Sequence, residues 1–158
     1  MKIAITGLGK MGMQIARKLS ENGHSVIAHN RSTPSIDEAV TYGAIGAYSE
    51  EDVVKAFSGE QLVLWIMIPS DVVDKALDEW LQIIPKNSII IDGGNSDFRH
   101  TKMRAEKVAA AGSQLLDVGT SGGVWGYENG FSMMSGGNKE AYNKVEPVLK
   151  TLSLPSGA

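Results

Sequence analysis

Cysteine is absent from the 158-residue chain. Its absence excludes disulfides, thiolate metal sites and cysteine nucleophiles, and it suits a reducing compartment such as the cytoplasm. Histidine is scarce, with 3 residues: His24, His29 and His100. None is spaced from another histidine or a carboxylate as metal ligands are, so each is read as a surface residue and no metal site is expected. A basic surplus is missing too. The 15 Lys and Arg face 18 Asp and Glu, for a net charge of −3, which removes the argument for nucleic acid or an anionic membrane as partner. Long apolar runs are lacking: the longest, residues 62–69, is far too short to cross a bilayer. Lys2 is followed at once by a strand pattern and a glycine turn, not by the apolar region of a signal peptide. No internal repeat, linker or low-complexity run interrupts the chain.

What is present is an ordinary globular mix, 42 % hydrophobic and 21 % charged. The length suits one domain, residues 1–158, with a real core. Lys2-Ile3-Ala4-Ile5-Thr6 reads as a buried strand, and Gly7-Leu8-Gly9-Lys10-Met11-Gly12 opens a helix that runs to about Asn22. Residues 25–29 form a second short strand. Strand, glycine turn, helix and strand make the dinucleotide-binding fingerprint in its proper context. Gly7 permits the tight turn, Gly9 clears the way for a pyrophosphate, and Gly12 lets the helix lie close to the sheet. The unpaired N–H groups of the first helical turn and the helix dipole favour the phosphate charge. The competing reading is a βα turn of some other parallel sheet.

Strand and helix patterns then alternate to the end, which predicts an α/β, Rossmann-type doubly wound, mostly parallel sheet with helices on both faces. Thr33-Pro34 starts a short helix with proline at its first position. Residues 44–48 suggest a short strand, and 49–57 a helix capped by Ser49. The apolar run at 62–68 fits a strand covered on both faces, ended by Pro69. A helix is expected at 71–81, a strand at 88–91, a helix at about 97–111 capped by Ser96, and a strand at 114–118. Residues 119–130 read as a polar glycine-rich loop, 131–135 as a strand, and 138 to about 152 as the last helix.

An NAD-binding domain usually carries an acid at the end of the second strand, about 20 residues past the turn. Here no acid occurs between Glu21 and Asp37, and the segment reads His29-Asn30-Arg31-Ser32. The Arg31 fork matches a phosphate dianion, with Asn30 and Ser32 as neutral donors beside it. This points to NADP, with NAD the weaker alternative should Arg31 be a solvated turn residue. Two further loops fall at strand ends, Asp92-Gly93-Gly94-Asn95-Ser96 and Gly119-Thr120-Ser121-Gly122-Gly123. Asn95 can donate and accept at once, and Ser121 can donate to a carboxylate. Each loop alone is also explained by turn chemistry; together, at the sheet edge that holds the glycine turn, they suggest a site. Asp92 and Asp117 could pair as carboxylates, but turn hydrogen bonding is the simpler expectation.

These motifs, followed by Met133-Met134-Ser135-Gly136-Gly137-Asn138-Lys139-Glu140-Ala141, resemble the N-terminal domain of decarboxylating 6-phosphogluconate dehydrogenases. The resemblance covers essentially the whole chain. Its glycine turn and Ser-Gly-Gly loop are shared with the wider 3-hydroxyisobutyrate dehydrogenase group, and the Asp-Gly-Gly-Asn-Ser loop is the narrower mark. Gly123-Val124-Trp125-Gly126 resembles the shorter bacterial and archaeal members, several of which use NAD, whereas Asn30-Arg31-Ser32 resembles the NADP users.

The resemblance implies that Gly7, Leu8, Gly9, Lys10, Met11 and Gly12 hold the pyrophosphate and that Asn30, Arg31 and Ser32 hold the 2′-phosphate. Met67, Ile68 and Pro69 would border the cofactor. Asn95 would lie between nicotinamide and substrate, and Ser121, Gly122 and Gly123 would bind the sugar acid near its carboxylate. It also implies 6-phosphogluconate as substrate, oxidised and decarboxylated to ribulose 5-phosphate in the pentose phosphate pathway. The family's general-base lysine lies in a segment resembling Gly-His-x-x-Lys-Met-Val-His-Asn-Gly, with a glutamate acid after it, in a helical domain that binds the substrate phosphate and dimerises. Neither segment is found through Ala158, although Pro155-Ser156-Gly157-Ala158 resembles the lead-in. Lys10, Lys139, Lys144 and Lys150 offer no replacement, so little or no turnover is expected of this chain alone. A stand-alone NADP-binding module and a dehydrogenase of another 3-hydroxy acid are the rival readings.

Overall fold

The computed structural model describes residues 1–155. Residues 156–158 of the lead-in tetrapeptide lie outside the described residues. The elements run β1 (Lys2–Thr6), α1 (Lys10–Glu21), β2 (Ser25–His29), α2 (Thr33–Thr41), β3 (Ile45–Ala47), α3 (Glu50–Ala56), β4 (Val63–Ile66), α4 (Val73–Leu81), β5 (Ile89–Asp92), α5 (Phe98–Ala110), β6 (Gln114–Ser121), α6 (Gly126–Asn129), β7 (Ser132–Gly137) and α7 (Lys139–Leu152). The strands form one seven-stranded sheet in the order β3-β2-β1-β4-β5-β6-β7. All neighbours are parallel except β6 and β7, which pair antiparallel from Leu116↔Gly137 to Ser121↔Ser132. This is the doubly wound α/β fold that the alternation predicts.

Side-chain alternation divides the core in two. Ile3, Ile5, Val63, Trp65, Ile89 and Ile91 face α1, α2 and α7, whereas Ala4, Leu64, Ile66 and Ile90 face α3, α4 and α5. Both faces of the central strands are therefore covered, which is why β4 and β5 read as continuous apolar runs instead of alternating ones. The chain order reverses at β1, which lies between β2 and β4. The crevice beyond the carboxyl ends of β1 and β4 is the topological switch point, where such sheets bind ligands.

Several local expectations are corrected. The apolar run at 62–68 is paired as strand only over Val63–Ile66; the Met67 N–H still donates to Thr6 O at 2.8 Å, and the chain then turns out towards the crevice. The expected loop at 119–130 is partly strand, because β7 folds back alongside and keeps Gly119, Thr120 and Ser121 in the ladder. A 3₁₀ turn, Gly123–Trp125, and the single turn of α6 occupy the rest. Helix α5 is capped by Asp97, whose carboxylate accepts from Arg99 N–H at 2.9 Å, and not by Ser96. Pro34 sits one residue into α2, which Thr33 opens.

Candidate functional site

The glycine turn is held from three sides. Gly7 N–H donates to His29 O at 3.1 Å, and Leu8 N–H donates to Asn30 Oδ1 at 2.9 Å. Gly7 has φ +97°, and a Cβ there would strike the Met67 carbonyl. A Cβ on Gly12 would strike the Gly7 carbonyl, so the helix can start this close only on glycine. Gly9, the N-cap, faces open space. The N–H groups of Lys10, Met11 and Gly12 belong to the first turn of α1, which has no intrahelical partners for them.

Two cavities flank this turn and share Ile68 and Pro69 as a common wall. One, of about 350 Å³, is reached by Asn30 and Arg31 from the end of β2. Arg31 and Ser32 are exposed, while Asn30 is half-buried and also donates its amide to Ser32 O at 3.2 Å. Asn30 thus braces the glycine turn against the start of α2. Glu50, Lys75 and Glu79 line the same cavity. Burial, then Glu79 and Glu51, push the Glu50 carboxyl above the usual carboxylate range.

His29 is not the surface residue expected. It stacks edge-on against Trp80 at 5.4 Å and bonds Thr6 Oγ1 at 2.8 Å, and burial pushes its imidazole below the ordinary value. His24 is likewise engaged, between the N-terminal amine at 3.0 Å and Thr151 Oγ1 at 2.8 Å, and is pushed down by burial and by that amine.

The second cavity, of about 280 Å³, lies across the turn and is lined by Met11, Met67, Asn95 and Thr120 besides the shared wall. Asn95 is presented by a loop that is anchored at its base. Asp92, 1 % exposed, accepts Gly94 N–H at 3.0 Å through one oxygen and Arg104 Nη1 at 2.9 Å through the other. Arg104, itself 2 % exposed, also donates to Ser96 Oγ at 2.6 Å and to Asp74 at 2.7 Å. The turn hydrogen bond expected of Asp92 is present; the buried ion pair was not foreseen. Asp117 lies opposite Asp92 in the β5–β6 register, and burial and then Asp92 push its carboxyl upward.

Of the sequence-predicted residues, the fold brings Gly7, Met11, Gly12, Asn30, Arg31, Met67, Ile68, Pro69 and Asn95 to the two cavities and the turn between them. Ser121, Gly122 and Gly123 follow directly after Thr120 on the same edge, outside the lining of either cavity. Leu8, Gly9 and Lys10 border a third and larger cavity, of about 510 Å³, on the outer side of α1. There Arg17 sits between the rings of Tyr42 and Tyr127, 4.4 Å from each. Thr120 was missed, although the alternation Leu116, Val118, Thr120 marks it as inward-facing. Arg104 carries no signal in the sequence, since a lone arginine on a helix reads as solvated.

Comparison with known proteins agrees with the fold. The family model described as the NAD binding domain of 6-phosphogluconate dehydrogenase matches residues 2–154. A putative 6-phosphogluconate dehydrogenase, YqeC, of Bacillus subtilis is 33 % identical over 99 % of the chain and 52 % of its own length. An NAD(+)-dependent, decarboxylating 6-phosphogluconate dehydrogenase of Haloferax volcanii is 37 % identical over 97 % of the chain and 50 % of its own. Among solved structures, Plasmodium falciparum 6-phosphogluconate dehydrogenase, described in its apo form and with NADP+ and 6-phosphogluconate, superposes with a TM-score of 0.88 at 26 % identity, covering 99 % of this chain and 35 % of that one. The chain thus spans about half the length of the two relatives, or less for the longer enzyme. It belongs to the family of NAD-binding domains of 6-phosphogluconate dehydrogenase.

Proposed function

We propose that this chain is the NADP-binding half of a decarboxylating 6-phosphogluconate dehydrogenase. The observation that carries the reading is the pair of cavities on either side of one glycine turn, with Arg31 at one and Asn95 at the other. Arg31 would hold the 2′-phosphate of an extended dinucleotide laid across the turn, the first turn of α1 its pyrophosphate, and Met11 and Asn95 its nicotinamide. The cofactor supplies a hydride acceptor. Asn95 and the adjoining Ser121, Gly122 and Gly123 supply neutral hydrogen-bonding groups for the sugar acid. No lysine lines the Asn95 cavity among the described residues, so the proton-transfer steps belong to groups elsewhere in the full-length enzyme.

A second reading, NAD in place of NADP, is favoured by Glu50 and Glu79, which put carboxylates into the cavity that Arg31 reaches. Titration with NADPH and NADH separates the two. The NADP reading expects tighter NADPH binding, and Arg31→Ala should weaken NADPH by about 10- to 100-fold, the worth of a charged hydrogen-bonding pair, while sparing NADH. Equal loss for both would remove Arg31 from phosphate recognition, and tighter NADH binding would favour the second reading. Oxidation of 6-phosphogluconate by this chain is expected at background; turnover near that of a full-length enzyme would overturn the division of labour proposed here.

A further inference from the structure

Thr120 is a buried polar side chain that the fold leaves unexplained. It lies on the inward face of β6, in line with Leu116 and Val118, and is 8 % exposed. Its Oγ1 is buried and has no hydrogen-bond partner among the described residues. A buried hydroxyl without a partner is costly and calls for a reason. Trp65 Nε1 and Thr101 Oγ1 share this condition, but neither residue lines a cavity beside the glycine turn. Thr120 does: it lines the cavity of about 280 Å³ together with Met11, Met67 and Asn95.

We propose that Thr120 Oγ1 hydrogen-bonds the carboxamide of a nicotinamide ring seated between Met11, Met67 and Asn95. The inference rests on the dinucleotide reading above and adds a contact to it. The character of the cavity selects the ligand. Met11, Met67, Ile68 and Pro69 give apolar walls suited to a flat ring, and the polar groups are few and neutral. No Lys or Arg is among the lining residues, so a phosphate or a carboxylate has no counter-charge there. A carboxamide carries both donor and acceptor, and so do a threonine hydroxyl and the Asn95 amide, so the two side chains can serve its two ends.

The test compares two ligands and three forms of the protein. NADPH carries the nicotinamide; 2′-phospho-ADP-ribose keeps the adenosine, 2′-phosphate and pyrophosphate and lacks it. Thr120→Val keeps the branched shape and removes the hydroxyl, and Thr120→Ser keeps the hydroxyl. Thr120→Val should weaken NADPH about fivefold, the worth of one neutral hydrogen bond, and leave 2′-phospho-ADP-ribose within about twofold. Thr120→Ser should bind both ligands nearly as the parent does. The melting temperature of ligand-free Thr120→Val should equal or exceed the parent's, since no bond is lost. Unchanged NADPH affinity in Thr120→Val, or equal loss for both ligands, would overturn the contact while leaving the dinucleotide reading intact. Failure of the parent chain to bind either ligand would overturn both. Should Thr120→Val not fold, Thr120→Ala decides by the same comparison.

Discussion

Gly9 and Gly12 stand three residues apart and answer to different constraints. A methyl at Gly12 would meet the Gly7 carbonyl, a backbone atom that cannot swing aside. Helix propensity alone would favour alanine there by about 1 kcal/mol, but the overpacking penalty of about 1–3 kcal/mol outweighs it. Gly12→Ala is therefore expected to lower the melting temperature and the affinity for the dinucleotide together. Gly9 has nothing within contact distance of an added Cβ. Gly9→Ala should melt like the parent and lose NADPH affinity alone, because the methyl would occupy the space through which the pyrophosphate is proposed to approach. Thermal melts and NADPH titrations on the two variants check this, and a Gly9→Ala chain that binds normally would place the pyrophosphate elsewhere.

At the scale of elements, helix α5 is tied to the sheet by Arg104. Its guanidinium reaches Asp92 at the end of β5, Asp74 in α4 and Ser96 in the loop that presents Asn95. Removing one partner of a buried pair leaves the other uncompensated, at about 3–5 kcal/mol. Arg104→Met should lose about that much in urea unfolding, whereas adding Asp92→Asn should recover part of it, because the buried partner is then neutral and Asp74, the remaining one, is exposed to water. If the double variant proves no more stable than Arg104→Met, the pair is not what anchors the loop.

The same elements show how far the sequence can be read. Periodicity gave the order and type of the helices and strands because each face is buried consistently, and β2 was legible to its ends. It could not reveal that Gly119, Thr120 and Ser121 are strand, since their pairing depends on β7 folding back to set Met134, Met133 and Ser132 beside them, which a polar glycine-rich stretch does not announce. Nor could it reveal the Asp92–Arg104 pair or the burial of His29 against Trp80, which are meetings between elements. The place of the glycine turn, Arg31 and Asn95 beside the crevice was legible because each follows closely on a strand end; the unpaired hydroxyl of Thr120 was not, because it is visible only once its surroundings are known.

The whole molecule should lose stability on mild acidification. His29 and His24 are both held below the ordinary histidine value of 6.5 in the folded chain. Between that value and their folded values the unfolded chain binds more protons, so their stabilisation is present above about pH 6.5 and is lost as pH falls towards the folded values. The urea midpoint should fall between about pH 7.5 and about pH 5.5, and His29→Gln should flatten the slope. A slope unchanged by that substitution would assign the acid sensitivity to other groups.

The first helix is fastened by parts of the chain that come much later. Gln14 Oε1 accepts Tyr127 N–H at 3.1 Å, and Lys18 Nζ donates to Tyr127 O at 3.0 Å. Glu21 bonds the Tyr127 hydroxyl, and His24 meets Thr151 across 127 positions. On a ribosome adding about 5–20 residues per second, the glycine turn emerges roughly 6–25 s before the residue that clasps the end of its helix. For that interval the oldest helix of the protein stands without the partners that hold its far end in the finished fold.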